Sequence, residues 1–140
     1  MDTVSINDEK FTSTEGYREF MKNNPSYGYL KIRAYAAREA VPISGLQVTV
    51  STIIDNTKVI FFEGETDISG TIEKIALPAP TLNLDNSVIP PSTTYEIESI
   101  YLPDNSTQIH KVNMYANILV VQNISIVPEI SFRKGSSYGC

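Results

Sequence analysis

Few residues in this chain carry the chemistry of an active site, and they lie far apart. The only histidine is His110 and the only cysteine is Cys140. A hydrolase of the Ser–His or Cys–His type needs an activated nucleophile, a base and an orienting acid. No Gly-x-Ser-x-Gly elbow is present, and His110 is expected on a strand beside Lys111 as a surface residue. With one thiol and one imidazole, a zinc site of Cys and His ligands is excluded, and so is an intramolecular disulfide. Glu63, Glu65 and Asp67 alternate, so on a strand they would share one face, the weak best case for a calcium ion held by oxygens. No Asp-rich loop of calcium-binding spacing accompanies them, and the expected reading is a solvated outer face. Glu96 and Glu98 read the same way. Neither pair is flanked by the aromatic platform and cleft of a glycosidase. The glycines are dispersed, so no phosphate-cradling loop exists. No cofactor is expected, and the chain is read as not an enzyme.

The elements that would position these residues are mainly strands. The chain has 140 residues, with 41% hydrophobic and 19% charged, enough apolar material for one core. Tyr outnumbers Phe, Trp is absent, and Val, Ile and Thr are abundant, a balance that favours sheet. The net charge is −5 with no Lys/Arg run, which argues against nucleic acid binding. No apolar stretch approaches the ~18 residues of a membrane helix, and the first ten residues lack the pattern of a signal peptide. Localisation is left open: spore or cell surface by an unusual route, otherwise cytoplasm.

Along the chain, residues 1 to 10 are a polar arm or a short edge strand in which Val4 and Ile6 alternate. Thr12-Ser13-Thr14-Glu15 reads as a capping box with Thr12 as the cap, opening a short helix that ends at Asn23-Asn24-Pro25. From Gly28 the period becomes two. Leu30, Ile32, Ala34 and Ala36 form one apolar face. Leu46, Val48 and Val50 form the next, after a turn-rich Val41 to Gly45 connector. Lys58 to Thr66 is a third strand, with Val59 and Phe61 opposed to Ile60 and Phe62. Asp67-Ile68-Ser69-Gly70 is a tight turn in which Asp67 caps backbone N–H groups and Gly70 takes positive φ. Thr71 to Leu77 is a fourth strand. Pro78 to Ser92 is read as a long surface loop. Three further strands follow, near Tyr95 to Tyr101, Gln108 to Tyr115 and Ile118 to Val127. The expected fold is all-β, a seven-stranded antiparallel sandwich with a short N-terminal helix. The expected organisation is an arm and helix over 1–27, the sandwich over 28–128 and a tail over 129–140.

Three segments carry a resemblance. Gly28-Tyr29-Leu30-Lys31-Ile32, Val41 to Val50 and Thr66-Asp67-Ile68-Ser69-Gly70 resemble the carboxypeptidase regulatory-like, or prealbumin-like (transthyretin-like), domain. Leu77-Pro78-Ala79-Pro80, Pro90-Pro91-Ser92-Thr93-Thr94-Tyr95 and Ile124 to Pro128 are similar to the non-catalytic region of clostridial spore-cortex-lytic enzymes and related small Firmicutes proteins. The resemblance spans about residues 17 to 130. It implies a sandwich acting as an adhesion, pro-region or assembly module, without the hydrolytic domain. An internal Lys–Asn isopeptide bond, found in related adhesin sandwiches, would use Lys31 with Asn117 or Asn123, but Lys31 is out of phase with the apolar face and should face solvent.

The sharper expectation concerns the ends. The arm with Val4 and Ile6, or the tail with Ile130 and Phe132, could add as a strand to a neighbouring copy, and Cys140 could lock copies together. The expected partners are a homo-oligomer or filament, or else a peptidoglycan or spore-layer component bound through the 78–92 loop and nearby tyrosines.

Overall fold

The computed structural model describes residues 2–37, 40–82 and 89–127. Two sheets pack face to face. The larger runs β1 (Thr3–Ser5), β5 (Thr57–Glu65), β4 (Gln47–Ile54), β7 (Thr93–Tyr101) and β8 (Ser106–Met114). The smaller has β2 (Ser26–Ala36) at its centre, with β3 (Val41–Pro42), β6 (Thr71–Ala79) and β9 (Leu119–Ser125) against it. Two helices, α1 (Glu9–Thr12) and α2 (Glu15–Asn23), precede β2.

The core is the one that period-two reading predicts. Leu30, Ile32, Ala34 and Ala36 from β2 face Val48 and Val50 from β4 and Tyr95 and Ile97 from β7, all buried. Each strand alternates because successive side chains leave opposite faces of the pleat.

Four expectations are corrected. The described residues hold nine strands, not seven. Of the two additions, β1 is the short edge strand that the alternation of Val4 and Ile6 offered as an alternative to an arm, and β3 is two residues long, too short for a periodic signal. The sandwich is not wholly antiparallel, because β1 pairs parallel with β5 and β9 pairs parallel with β2. The helix cap is Thr14, whose hydroxyl accepts from Tyr17 N–H at 3.4 Å; the Thr12 hydroxyl instead donates to the Glu9 carbonyl. Thr12 closes a separate first helix, begun by Asp8 as cap, so it is not free to open the second. Finally, Phe61 and Phe62 do not oppose each other. A bulge between Val50 and Ser51 sets Phe62 opposite Val50 and leaves Phe61 as the extra residue. Both rings pack on the core, and Phe61 stands edge-on to Tyr95 with centroids 5.6 Å apart.

β6 runs two residues past the expected end at Leu77 and includes Pro78. It has β2 on one side only, where a strand tolerates proline. The Pro78 carbonyl accepts the Tyr95 hydroxyl at 2.6 Å inside the core. Two glycines are required. A Cβ at Gly28 would lie 2.5 Å from the Tyr115 carbonyl oxygen. Gly70 has φ +78 and a Cβ there would meet the Ala34 carbonyl at 2.6 Å.

Candidate functional site

The candidate catalytic and metal-binding residues do not come together. Asp67 is committed to its turn: its carboxylate accepts Ser69 N–H at 2.9 Å, Thr71 N–H at 3.0 Å and the Thr71 hydroxyl at 3.1 Å. The Thr71 N–H bond is the main reason its pKa lies below the ordinary carboxylate value. Glu63 and Glu65 stand exposed on the outer face of the larger sheet, opposite Thr49 and Gln47. Among the described residues no group of three or more His, Cys, Asp or Glu could hold a metal ion. Glu96 lies opposite Lys111, and Glu98 is 3.7 Å from Lys58, an ordinary surface pairing.

His110 is not a plain surface residue. It sits half-buried opposite Ile97, and its Nδ1 is buried without a hydrogen-bond partner among the described residues. The directly opposed position follows the inner face of β7, which places the imidazole at the rim of the core. Lys31 faces outward, as its phase predicts, with Nζ 3.4 Å from Glu73. The Asn123 amide oxygen accepts from Arg33 Nη1 at 3.2 Å, and Asn117 sits in a turn with φ 61. The isopeptide geometry is therefore not assembled. An open apolar hollow of about 380 Å³ lies against Leu82, Pro90, Tyr115, Ala116 and Ile118. Residues 83–88 of the expected 78–92 loop lie outside the described residues, as do Ile130, Phe132 and Cys140.

The sheet edges are better defined. The arm is already used within the chain. Val4 pairs with Val59, Lys58 N–H donates to the Asp2 carbonyl at 2.8 Å, and Ile6 N–H donates to the Ile60 carbonyl at 3.0 Å. Val4 and Ile6 are both half-buried.

The opposite flank is different. β9 bonds to β2 through its even-numbered residues: Tyr29 N–H donates to the Ile118 carbonyl and Ile126 N–H to the Tyr35 carbonyl. In a parallel ladder this turns the backbone groups of Leu119, Val121, Asn123 and Ser125 away from β2. Side-chain amides cover part of that edge. Gln108 Nε2 donates to the Ser125 carbonyl at 2.9 Å, and Gln122 Nε2 to the Asn123 carbonyl at 3.0 Å. Among the described residues nothing gives Leu119 and Val121 such cover, and these residues are 56% and 45% exposed. β9 holds no charge and no proline, the two commonest blocks to edge pairing. The period-two pattern located this strand. Only its parallel pairing, which alternation cannot report, decides which backbone groups are open.

A row of side chains also marks the outer face of β2: Tyr27, Tyr29, Lys31, Arg33 and Tyr35. A bulge opposite Lys31 sets Glu73 and Lys74 both on the exposed side. Lys74 Nζ lies 4.6 Å from the Tyr29 ring centroid, and the Arg33 guanidinium 5.7 Å from that of Tyr35.

These features describe an all-β sandwich with one flank closed by its own arm and the other partly open. The sequence matches no protein-family model, and no curated protein matches it. Among solved structures, the transthyretin of Sparus aurata is similar over 69% of this chain and 90% of its own, with 17% identity and a TM-score of 0.39. The sandwich architecture rests on the two sheets themselves. Among the described residues no helix is long and apolar enough to cross a membrane.

Proposed function

We propose that this chain is a non-catalytic structural module that self-associates through its sheet edges. The observation that carries the reading is the Leu119–Val121 stretch of β9, uncovered among the described residues. An open, uncharged edge presents backbone donors and acceptors ready to pair with another strand. A second copy satisfies it most simply, by antiparallel pairing centred on Val121 with Leu119 opposite Asn123. The outward-turned residues then meet one another, and the two smaller sheets join into one. A contact of this kind is self-complementary and has two-fold symmetry. Attribution to a spore-forming bacterium, and so to a spore or cell-envelope setting, rests on the sequence resemblance alone.

Size-exclusion chromatography with negative-stain microscopy of the full chain tests this. Concentration-dependent dimers or longer species are expected, and a strict monomer at all concentrations refutes it. A second reading is favoured by the Tyr27–Tyr35 row with its basic neighbours: binding of a cell-wall or spore-layer component to that face. Retention on purified peptidoglycan, lost on Tyr29→Ala, is the expected result, and absence of retention rejects it.

A further inference from the structure

The flank opposite β9 carries an additional inference, which rests on the assembly reading. We propose that the edge of β5 that seats β1 is an exchangeable strand-acceptor site, filled in a single chain by its own residues 3–5 and in the assembly by the same residues of a second copy.

The seat fits this occupant because the structure holds it there: Thr3 lies opposite Lys58, Val4 opposite Val59 and Ser5 opposite Ile60. The same bonds form whether the arm belongs to this chain or to another, so exchange is close to neutral in contacts and is set by concentration. The arm is lightly tethered. Thr3 is exposed, and neither α1 nor α2 has a fully buried residue. The link between β1 and α1 is a turn in which Asp8 N–H donates to the Ser5 carbonyl at 2.9 Å and Asn7 N–H to the Ser5 hydroxyl at 3.1 Å. No residue from 6 to 8 has positive φ, so the turn can straighten without any of them crossing to or from the left-handed region. With α1 unwound, residues 6–12 span at most about 24 Å.

The position of this site matters for assembly. Gln108 of β8 reaches Ser125 of β9, so those two edges share a flank. β1 and β5 lie at the other end of the five-stranded sheet. Pairing through β9 alone closes as a dimer. Arm exchange on the far flank supplies the second contact that lets dimers join into an open chain.

The test uses full chains carrying Cys140→Ser, with Thr3→Cys in one and Lys58→Cys in the other. Directly opposed positions on neighbouring strands suit a disulfide. After mixing, dilution and mild oxidation, a covalent two-chain band is expected on a non-reducing gel. A synthetic peptide of residues 2–7 in excess should lower that band at least fivefold. As a second measurement, deletion of residues 2–6 should reduce the longest species to the β9-paired dimer. Oligomers that form without the mixed band, and whose size the deletion leaves unchanged, overturn exchange while leaving assembly through β9 standing. A protein monomeric under every condition overturns both.

Discussion

Placing a lysine at the centre of the open edge should abolish association while leaving the fold intact. Val121 is 45% exposed and its side chain lies on the outer face of an edge strand, so Val121→Lys should change stability by no more than about 0.5 kcal/mol. In the antiparallel contact centred on this residue, the two copies of position 121 face each other directly. Opposed Cβ atoms lie about 5 Å apart in such a pair. Two ammonium groups about 6 Å apart repel by about 1–3 kcal/mol between solvent-like and surface-like dielectric limits. Loss of the remaining apolar burial of two valines adds about 1.4 kcal/mol. Together these give about 2–4 kcal/mol, or roughly 30- to 1000-fold in dissociation constant. Sedimentation velocity over a concentration series reads that shift directly. High salt should restore part of the association, since screening shortens to about 3 Å at 1 M. Val121→Glu should fail alone in the same way, and an equimolar mixture of the lysine and glutamate variants should associate again. Unchanged association of the lysine variant, or failure of the mixture to recover, refutes self-pairing about Val121.

Three further outcomes test the account of the fold. Tyr95→Phe removes the hydroxyl donated to the Pro78 carbonyl from a fully buried ring, and should cost about 1–3 kcal/mol in urea denaturation. A cost near zero would mean that carbonyl has another donor. Gly70→Ala places a Cβ at φ +78 and 2.6 Å from the Ala34 carbonyl, so a loss of at least about 1–2 kcal/mol is expected in the same assay. Wild-type stability would show that the Asp67–Gly70 turn relaxes freely. Asp67 has a depressed pKa in the folded state, so its contribution is present above the unfolded value and is lost as pH falls through the folded one. Asp67→Asn should therefore lower the melting temperature at pH 7 and narrow the gap from the parent near pH 3; an equal deficit at both pH values would remove the charge from the explanation.

Periodicity and turn chemistry by themselves determined the sandwich class, the inward faces Leu30–Ala36 and Leu46–Val50, the outward phase of Lys31 and the Asp67–Gly70 turn. These are local consequences of a two-residue repeat and of turn chemistry, which any strand of that composition obeys. Tertiary structure alone decided the rest. Thr3–Ser5 and Val41–Pro42 become strands only because a longer strand offers them a ladder. The bulges that bring Phe62 opposite Val50 and turn Lys74 outward depend on the partner strand's register. The open edge of β9 exists because a strand near the end of the chain returns parallel to β2, leaving its odd-numbered backbone groups turned outward. A residue's type announces which face it prefers, but which backbone groups lack a partner is fixed only when distant strands choose their neighbours and direction.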